Sequence, residues 1–187
     1  MKNLVYIISA VTLLSCASCG SNQKPGERVE NYGEEVRKDT PSLAGFTMTS
    51  EKVYVPFHRV EGGLAQVQVS LNGVPFNMWW DTGASITSIS KLEFTNLVKA
   101  GMIDEEDDFI DSINSQYADG SIGTEPLYRI GEITMRGKDN QILRLNGVAV
   151  SVSENLSAPM LIGQNVINKL PKHKFNDATE EIEFDKE

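Results

Sequence analysis

The segment that decides the fold is residues 74–85, which read VPFNMWWDTGAS. Its apolar part ends in two tryptophans, and Asp81, Thr82 and Gly83 follow directly. The bulky residues would keep water away from Asp81, and Gly83 would let the chain turn sharply and bring a backbone N–H close to that carboxylate. Thr82 adds a compact hydroxyl that can bond across an interface. A solvated turn needs none of these features, so we predict that Asp81 ends a strand and carries chemistry.

The residues before this segment predict a β-hairpin. Apolar and polar residues alternate over residues 65–71, which is the two-residue period of a half-buried strand. Asn72-Gly73 follows, and this pair is a strong hairpin signal because both residues tolerate positive φ. Residues 74–80 then form the return strand, which places Asp81 at its end.

One helix is well signalled after this hairpin. Ser90 and Glu93 form a capping box, and Gly101 ends the predicted helix. Its apolar face is predicted from Leu92, Leu97 and Val98. A second, shorter helix is expected from Asn165 to Leu170, before Pro171.

The remainder of the domain predicts many short strands. They are expected at Val53–Val55, Phe109–Tyr117, Ile122–Ile130, Glu132–Arg136, Gln141–Val152, Met160–Ile162 and Glu181–Phe184. The predicted fold class is therefore mainly β: a small closed or nearly closed barrel with one or two short helices.

The charge of the chain limits its partners and cofactors. The formal net charge is -9, and no basic stripe is available to neutralise phosphates, so nucleic acid is not an expected partner. His58 and His173 lie far apart in a domain without cysteine, so we predict no zinc site and no other cofactor. One segment is strongly acidic, through Asp104, Glu105, Glu106, Asp107, Asp108 and Asp111. We interpret it as a solvated loop, with calcium binding as the alternative, although it lacks the spacing of a calcium loop.

The first residues predict a secretion signal. Lys2 supplies a positive charge, and residues 4–14 form an apolar run too short to span a bilayer. The run ends in Leu13-Leu14-Ser15-Cys16, which resembles the lipobox of bacterial lipoproteins, where the cysteine becomes the lipid-carrying N-terminus. The resemblance implies a signal peptide over 1–15 and lipidation of Cys16. The alternatives are a plain signal peptide cut near Ala17 or Ser18, or modification of Cys19, which the lipobox pattern fits poorly.

Residues 16–50 predict a flexible tether. They are polar and charged, are broken by glycine and proline, and cannot bury enough surface to order themselves. The folded domain is predicted over 51–187. We expect the chain in the cell envelope, held by lipid to a bacterial membrane and facing outside the cytoplasm.

The domain resembles the retropepsin-like aspartic peptidases of clan AA, in a bacterial lipoprotein form. The resemblance covers about Val53 to Phe184 and rests on the order of four motifs: Asn72-Gly73, DTGAS at 81–85, YADGS at 117–121 and MLIG at 160–163. It implies a catalytic loop of Asp81, Thr82 and Gly83. It also implies a β-hairpin flap that closes over substrate, with Tyr117, Ala118, Asp119 and Gly120 at its tip. Asp119 would face substrate in such a flap, but an aspartate before a glycine is explained equally well as a turn former.

Peptide hydrolysis by carboxylates requires two of them sharing one proton, because two negative charges about 3 Å apart cannot both ionise cheaply. The chain contains a single Asp-Thr-Gly. The second carboxylate must therefore be Asp81 of another copy across a two-fold axis, so the hypothesis requires a homodimer. Ala84 stands where pepsins usually carry a serine hydroxyl that bonds the aspartate, and its absence predicts a less acidic pH optimum.

The predicted function is an aspartic endopeptidase that cleaves peptides or proteins with a water held between the two Asp81 carboxylates. The alternative is a catalytically silent, lipid-anchored module of the same fold that holds a peptide under its flap. A third interpretation is a structural lipoprotein in which Asp81 merely caps a turn.

Overall fold

The computed structural model describes residues 45–60, 62–117 and 120–186. The predicted signal peptide, Cys16 and most of the predicted tether lie outside these residues, and so do Ala118 and Asp119 of the predicted flap. Within the described ranges, no helix is both long enough and apolar enough to span a bilayer.

Two short α-helices and eleven strands make up the described part of the chain. The helices are α1 (Lys91–Lys99) and α2 (Gln164–Ile167), and a 3₁₀ turn lies at Lys138–Asn140. The strands are β1 (Thr47–Met48), β2 (Lys52–Arg59), β3 (Ala65–Leu71), β4 (Val74–Trp80), β5 (Thr87–Ser90), β6 (Phe109–Gln116), β7 (Ile122–Arg136), β8 (Ile142–Ser153), β9 (Leu161–Ile162), β10 (His173–Asn176) and β11 (Glu181–Asp185).

The strands form one sheet that closes on itself. Its order is β10-β11-β2-β3-β4-β9-β5-β8-β7-β6, and an additional pairing between β3 and β7 closes the path from β3 to β7 into a ring. Most pairs are antiparallel, but β4 runs parallel to β9 and β5 runs parallel to β8. This architecture confirms the predicted class, mainly β with a small closed sheet and two short helices.

The core combines buried residues of the ring strands with buried residues of β2, β11 and α1. Val67, Val69 and Leu71 of β3 are buried on one face while the residues between them are more exposed, as the alternation predicts. Strand β8 is different, because residues 148–153 are buried on both faces. Each fully buried aliphatic side chain contributes about 1.5–3 kcal/mol of transfer free energy, so these strands dominate the stability.

The β3–β4 hairpin turns where the sequence predicts. Asn72 and Gly73 have φ of 48° and 86°, and Leu71 pairs with Val74 across the turn. The Asn72 side chain has a further role, since its Oδ1 accepts from the Glu132 N–H at 2.9 Å and its Nδ2 donates to the Met102 carbonyl at 2.6 Å. The turn is therefore tied to β7 and to the segment after α1.

Helix α1 begins as predicted but packs through a different face. The Ser90 side chain accepts from the Leu92 N–H at 3.1 Å, and its hydroxyl also bonds Glu93. Leu92 is 49% exposed, however, while Phe94 and Leu97 are buried. The predicted apolar face is wrong for Leu92 because it lies two positions, or about 200° of helix rotation, from Phe94.

Three strands were not predicted from the sequence. Strand β1 lies before the predicted domain start at residue 51 and pairs with β8, Thr47 opposite Arg144. Strand β5 follows the Asp81 loop. Strand β10 contains His173, whose ring packs against Trp80 at a centroid distance of 5.2 Å. Partner strands supply their hydrogen bonds, which local alternation does not reveal.

Two other boundaries also differ. Strand β7 continues through Gly131, where the sequence predicts a break, because it pairs with β8 on both sides of that residue, Ile130 with Val148 and Glu132 with Asn146. Helix α2 ends at Ile167 rather than at Leu170.

Candidate active site

Asp81 stands at the end of β4, held by a parallel neighbour. The backbone N–H of Asp81 donates to the Ile162 carbonyl of β9 at 3.0 Å, and Trp79 N–H donates to the Met160 carbonyl at 2.8 Å. The side chain of Trp80 is buried and packs edge-on against Phe175. The aspartate therefore emerges from a strand that is fixed on both sides.

The carboxylate of Asp81 is bonded by its own loop. The Gly83 N–H donates to Asp81 Oδ1 at 2.8 Å, which is the contact the sequence predicts. A Cβ placed on Gly83 would lie 3.1 Å from that oxygen, so a side chain there would crowd the carboxylate. A donated N–H stabilises negative charge on the oxygen that accepts it.

The loop after Asp81 faces outward. Thr82, Gly83 and Ser85 are exposed, while Asp81 and Ala84 are half-buried. The Asp81 carboxylate is thus half-buried beside an exposed stretch of loop.

The segment that starts α2 supports the loop from behind. The Gln164 N–H donates to the Ala84 carbonyl at 2.8 Å, and the Asn165 N–H donates to the Ser85 carbonyl at 3.1 Å. The Gln164 side chain adds a bond from Nε2 to the Thr82 carbonyl at 2.9 Å. Three successive contacts hold the backbone of the loop to α2.

Beneath these contacts lies a buried polar network that the sequence did not single out. The Thr87 hydroxyl donates to Asn165 Oδ1 at 2.8 Å and accepts from the Gly163 N–H at 3.0 Å. Asn165 Nδ2 donates to the Ala149 carbonyl of β8 at 2.7 Å. Local sequence gave no signal for this pair, because Thr87 lies among serines and Asn165 follows Gly163 and Gln164.

Gly163 is required for this packing by size. A Cβ at that position would lie 2.5 Å from the Ile86 carbonyl carbon and 2.7 Å from the Thr87 nitrogen. Both neighbours are backbone atoms that cannot swing away. The segment Leu161-Ile162-Gly163 therefore brings β9 and α2 against the loop that carries Asp81.

Tyr117 and Gly120 of the predicted flap lie between β6 and β7, whereas Ala118 and Asp119 lie outside the described residues. Tyr117 N–H donates to the Ser121 carbonyl and Gly120 N–H donates to the Tyr117 carbonyl, both at 2.9 Å. Gly120 has a φ of 84°, in the left-handed region that glycine tolerates best. The role of this hairpin in substrate binding stays a prediction.

The acidic segment after α1 folds back on itself. Asp104 Oδ1 accepts from the backbone N–H groups of Glu106 and Asp107, and these bonds lower the pKa of Asp104. This agrees with the solvated-loop interpretation. Among the residues that the structure describes, no group of three or more His, Cys, Asp or Glu side chains is arranged to hold a metal ion.

A closed mainly β sheet with one Asp-Thr-Gly loop at its surface defines the class of small aspartic-protease folds. The family model described as "gag-polyprotein putative aspartyl protease" matches residues 67–169, more than half of the 187-residue chain. The chain belongs to this family of retropepsin-like aspartyl proteases. The matched range includes the Asp81 loop, the β6–β7 hairpin and Gly163.

Among solved structures, the chain is similar to a retropepsin-like aspartic protease from Rickettsia conorii. The two share 12% sequence identity with a TM-score of 0.45, over 74% of this chain and 92% of the other. A comparison of the sequence with curated proteins gives no match.

Proposed function

We propose that the chain is an aspartic endopeptidase in which one water molecule is activated between the Asp81 carboxylates of two identical subunits. The observation that carries this proposal is the Asp81 loop itself. Its carboxylate accepts the Gly83 N–H at 2.8 Å, and the loop around it is exposed on the single subunit. A carboxylate that only capped a turn would not need the buried Thr87–Asn165 network behind it.

The chemistry follows from two carboxylates that share one proton. The ionised member takes a proton from the water, whose oxygen then forms a bond to the scissile carbonyl carbon. The protonated member donates a hydrogen bond to the carbonyl oxygen, and a proton passes to the leaving amine as the C–N bond breaks.

A dimer is required because the chain contains one Asp-Thr-Gly. A two-fold axis beside the loop would bring the second Asp81 to the first. Thr82 is exposed, and its hydroxyl would bond across that axis. The β6–β7 hairpin would cover the peptide from the other side. Peptide or protein substrates therefore bind between the subunits.

Asp81→Asn tests this mechanism. We expect it to abolish cleavage of a peptide library between mildly acid and neutral pH while leaving the fold intact. Asp139→Asn is the matched control, because Asp139 is exposed and has a φ of 52° that asparagine also tolerates. Wild-type protein that is dimeric but cleaves nothing at any pH would contradict the proposal. Retained peptide binding in that case would favour the silent peptide-binding module.

We also propose that Cys16 anchors the chain by lipid to a bacterial membrane, with the domain facing outside the cytoplasm. The support is the sequence Leu13-Leu14-Ser15-Cys16 at the end of a short apolar run. Cys16→Ser should move the protein from the membrane fraction to the soluble fraction after cell lysis. Cys19→Ser is the matched control and should stay with the membrane. The opposite pattern would place the lipid on Cys19.

A further inference from the structure

Glu125 is a buried carboxylate that the proposed mechanism does not use. It lies on β7, is 4% exposed, and pairs in register with the buried Ile113 of β6. It shares its side of the β6–β7 hairpin with buried Leu127, two residues further along the strand. A carboxylate in such a place is costly unless it is hydrogen-bonded.

Two hydroxyl groups of the same hairpin donate to Glu125. The Tyr117 hydroxyl lies 3.1 Å from Oε1, and the Ser115 hydroxyl lies 3.0 Å from Oε2. Tyr117 is beside the tip, so the first of these bonds joins the tip to the middle of the hairpin across eight residues of sequence. The acceptor is buried, yet the tyrosine that it holds is 39% exposed.

Gly123 makes room for the tyrosine ring. A Cβ on Gly123 would lie 2.5 Å from the Tyr117 hydroxyl oxygen and 2.9 Å from Cε2. The ring therefore lies directly against the backbone of β7. Gly123 does not have a positive φ, so the reason for glycine here is space and not backbone conformation.

We propose that Glu125 is a positioning residue of the peptidase. Glu125 accepts from the Tyr117 hydroxyl and so holds the tyrosine ring on the side of the hairpin that carries the buried residues. When the hairpin closes over a peptide, the ring is then in a fixed position. The proposal rests on the proposed function. Without the bond, the ring and the tip would sample several arrangements, and part of the binding free energy would be used to order them.

Loss of the hydrogen bond between Glu125 and Tyr117 should weaken substrate binding and leave the chemical step largely unchanged. Tyr117→Phe removes only the hydroxyl, and Gly123→Ala displaces the ring while leaving both bonding groups in place. Each should raise KM by roughly 3–10-fold, which is what the loss of one hydrogen bond produces, with kcat changed less than about two-fold.

Glu125→Gln and Glu125→Leu show whether Tyr117 needs only an oxygen that accepts its hydrogen bond or also the negative charge of the carboxylate. Glutamine keeps an oxygen for Tyr117, and it should retain a KM within about two-fold of wild type. Leucine removes the acceptor and should raise KM as Tyr117→Phe does. Combining Glu125→Leu with Tyr117→Phe should add little to either change alone, because both remove the same bond.

Hydrogen exchange gives a measurement that does not depend on activity. Amides of residues 115–117 and 120–123 should exchange faster in Tyr117→Phe and in Gly123→Ala than in wild type, measured on the full chain in mild detergent. Thr124→Val is the matched control, since Thr124 bonds Asn114 on the opposite side of the same hairpin. It should leave exchange at residues 115–117 and 120–123 unchanged.

Equal exchange in wild type and Tyr117→Phe overturns the proposal, and so does faster exchange with an unchanged KM. If Glu125→Leu fails to fold, Tyr117→Phe and Gly123→Ala decide the question, because both retain the carboxylate. If wild type cleaves no peptide, the proposed function fails. The exchange comparison then decides whether Glu125 positions the ring: faster exchange in the two variants supports it, and equal exchange overturns it.

Discussion

Asn165 Oδ1 accepts two hydrogen bonds from Thr87, one from its backbone N–H and one from its hydroxyl, each at 2.8 Å. Thr87 is the first residue of β5 and Asn165 lies in α2, so this pair joins the two segments that flank the Asp81 loop. The loop is exposed, whereas Thr87 is buried and Asn165 is half-buried. The geometry of the loop therefore depends on residues outside the Asp-Thr-Gly motif.

Removing the Thr87 hydroxyl should destabilise the fold. Thr87→Val keeps the shape of the side chain but leaves the buried Gly163 N–H without its acceptor. We expect a loss of about 1–3 kcal/mol in the free energy of unfolding, measured by urea denaturation. Thr87→Ser, which keeps the hydroxyl, should lose less. Equal losses in the two variants would contradict this prediction, because the methyl group would then contribute as much as the hydroxyl.

Gly163→Ala should be among the most damaging small substitutions in the chain. The added Cβ would lie within 2.7 Å of three backbone atoms of Ile86 and Thr87. We expect a loss of at least about 2 kcal/mol in unfolding free energy, since overpacking against backbone forces the chain itself to move. Gly45→Ala is the control, because no atom lies within 4 Å of its added Cβ. Similar thermal midpoints for the two variants would contradict the required close approach.

Gly83→Ala should impair catalysis and leave stability intact. The residue is exposed, but its Cβ would lie 3.1 Å from Asp81 Oδ1 and would push the carboxylate from its place. A displacement of this kind can lower the rate by about 10–100-fold. The measurement is kcat on a peptide substrate beside the thermal midpoint. A large drop in the midpoint would assign Gly83 a folding role instead.

The thermal midpoint should fall in acid because two glutamates of β11, Glu181 and Glu183, become protonated. Lys174 and Lys52 lower the pKa of Glu183, and Lys138 lowers the pKa of Glu181. A carboxyl with a depressed pKa in the folded state stabilises the protein above its unfolded pKa of about 4.3 and loses that contribution as pH falls through the folded value.

The thermal midpoint of wild type should therefore fall as the pH decreases below about 4.3. The thermal midpoint of Glu183→Gln should fall less over the same pH range. Added salt should also reduce the difference between wild type and Glu183→Gln, since the lysine partners are exposed. Glu154→Gln, at a largely exposed carboxylate, is the control and should follow wild type. A Glu183→Gln profile parallel to wild type would contradict the assignment.

Subunit mixing tests the shared carboxylate pair. When wild type and Asp81→Asn are mixed in equal amounts and allowed to exchange subunits, about one quarter of the dimers carry two intact aspartates under random pairing. Activity per total protein should then fall to about a quarter of the wild-type value rather than to about a half. A linear dependence on the wild-type fraction would mean that one chain carries a complete site.

Local sequence was sufficient for the elements whose signals are contained in a few neighbouring residues. The alternation over 65–71, the Asn72-Gly73 turn and the capping Ser90 each determine a conformation that the structure confirms, because periodicity, positive φ and end-capping act over short range. The same holds for Asp81, whose bond from Gly83 spans two positions. The predicted role of the aspartate followed from this loop and from resemblance.

Only the tertiary structure decided what joins these pieces. Strands β1, β5 and β10 exist because distant partners supply their hydrogen bonds. Thr87 meets Asn165 across 78 positions of sequence, and Tyr117 lies against Gly123 because a hairpin folds them together. The physical reason is that hydrogen bonds and packing depend on distance in space, and a pattern read along the chain cannot show which distant residues fill that space.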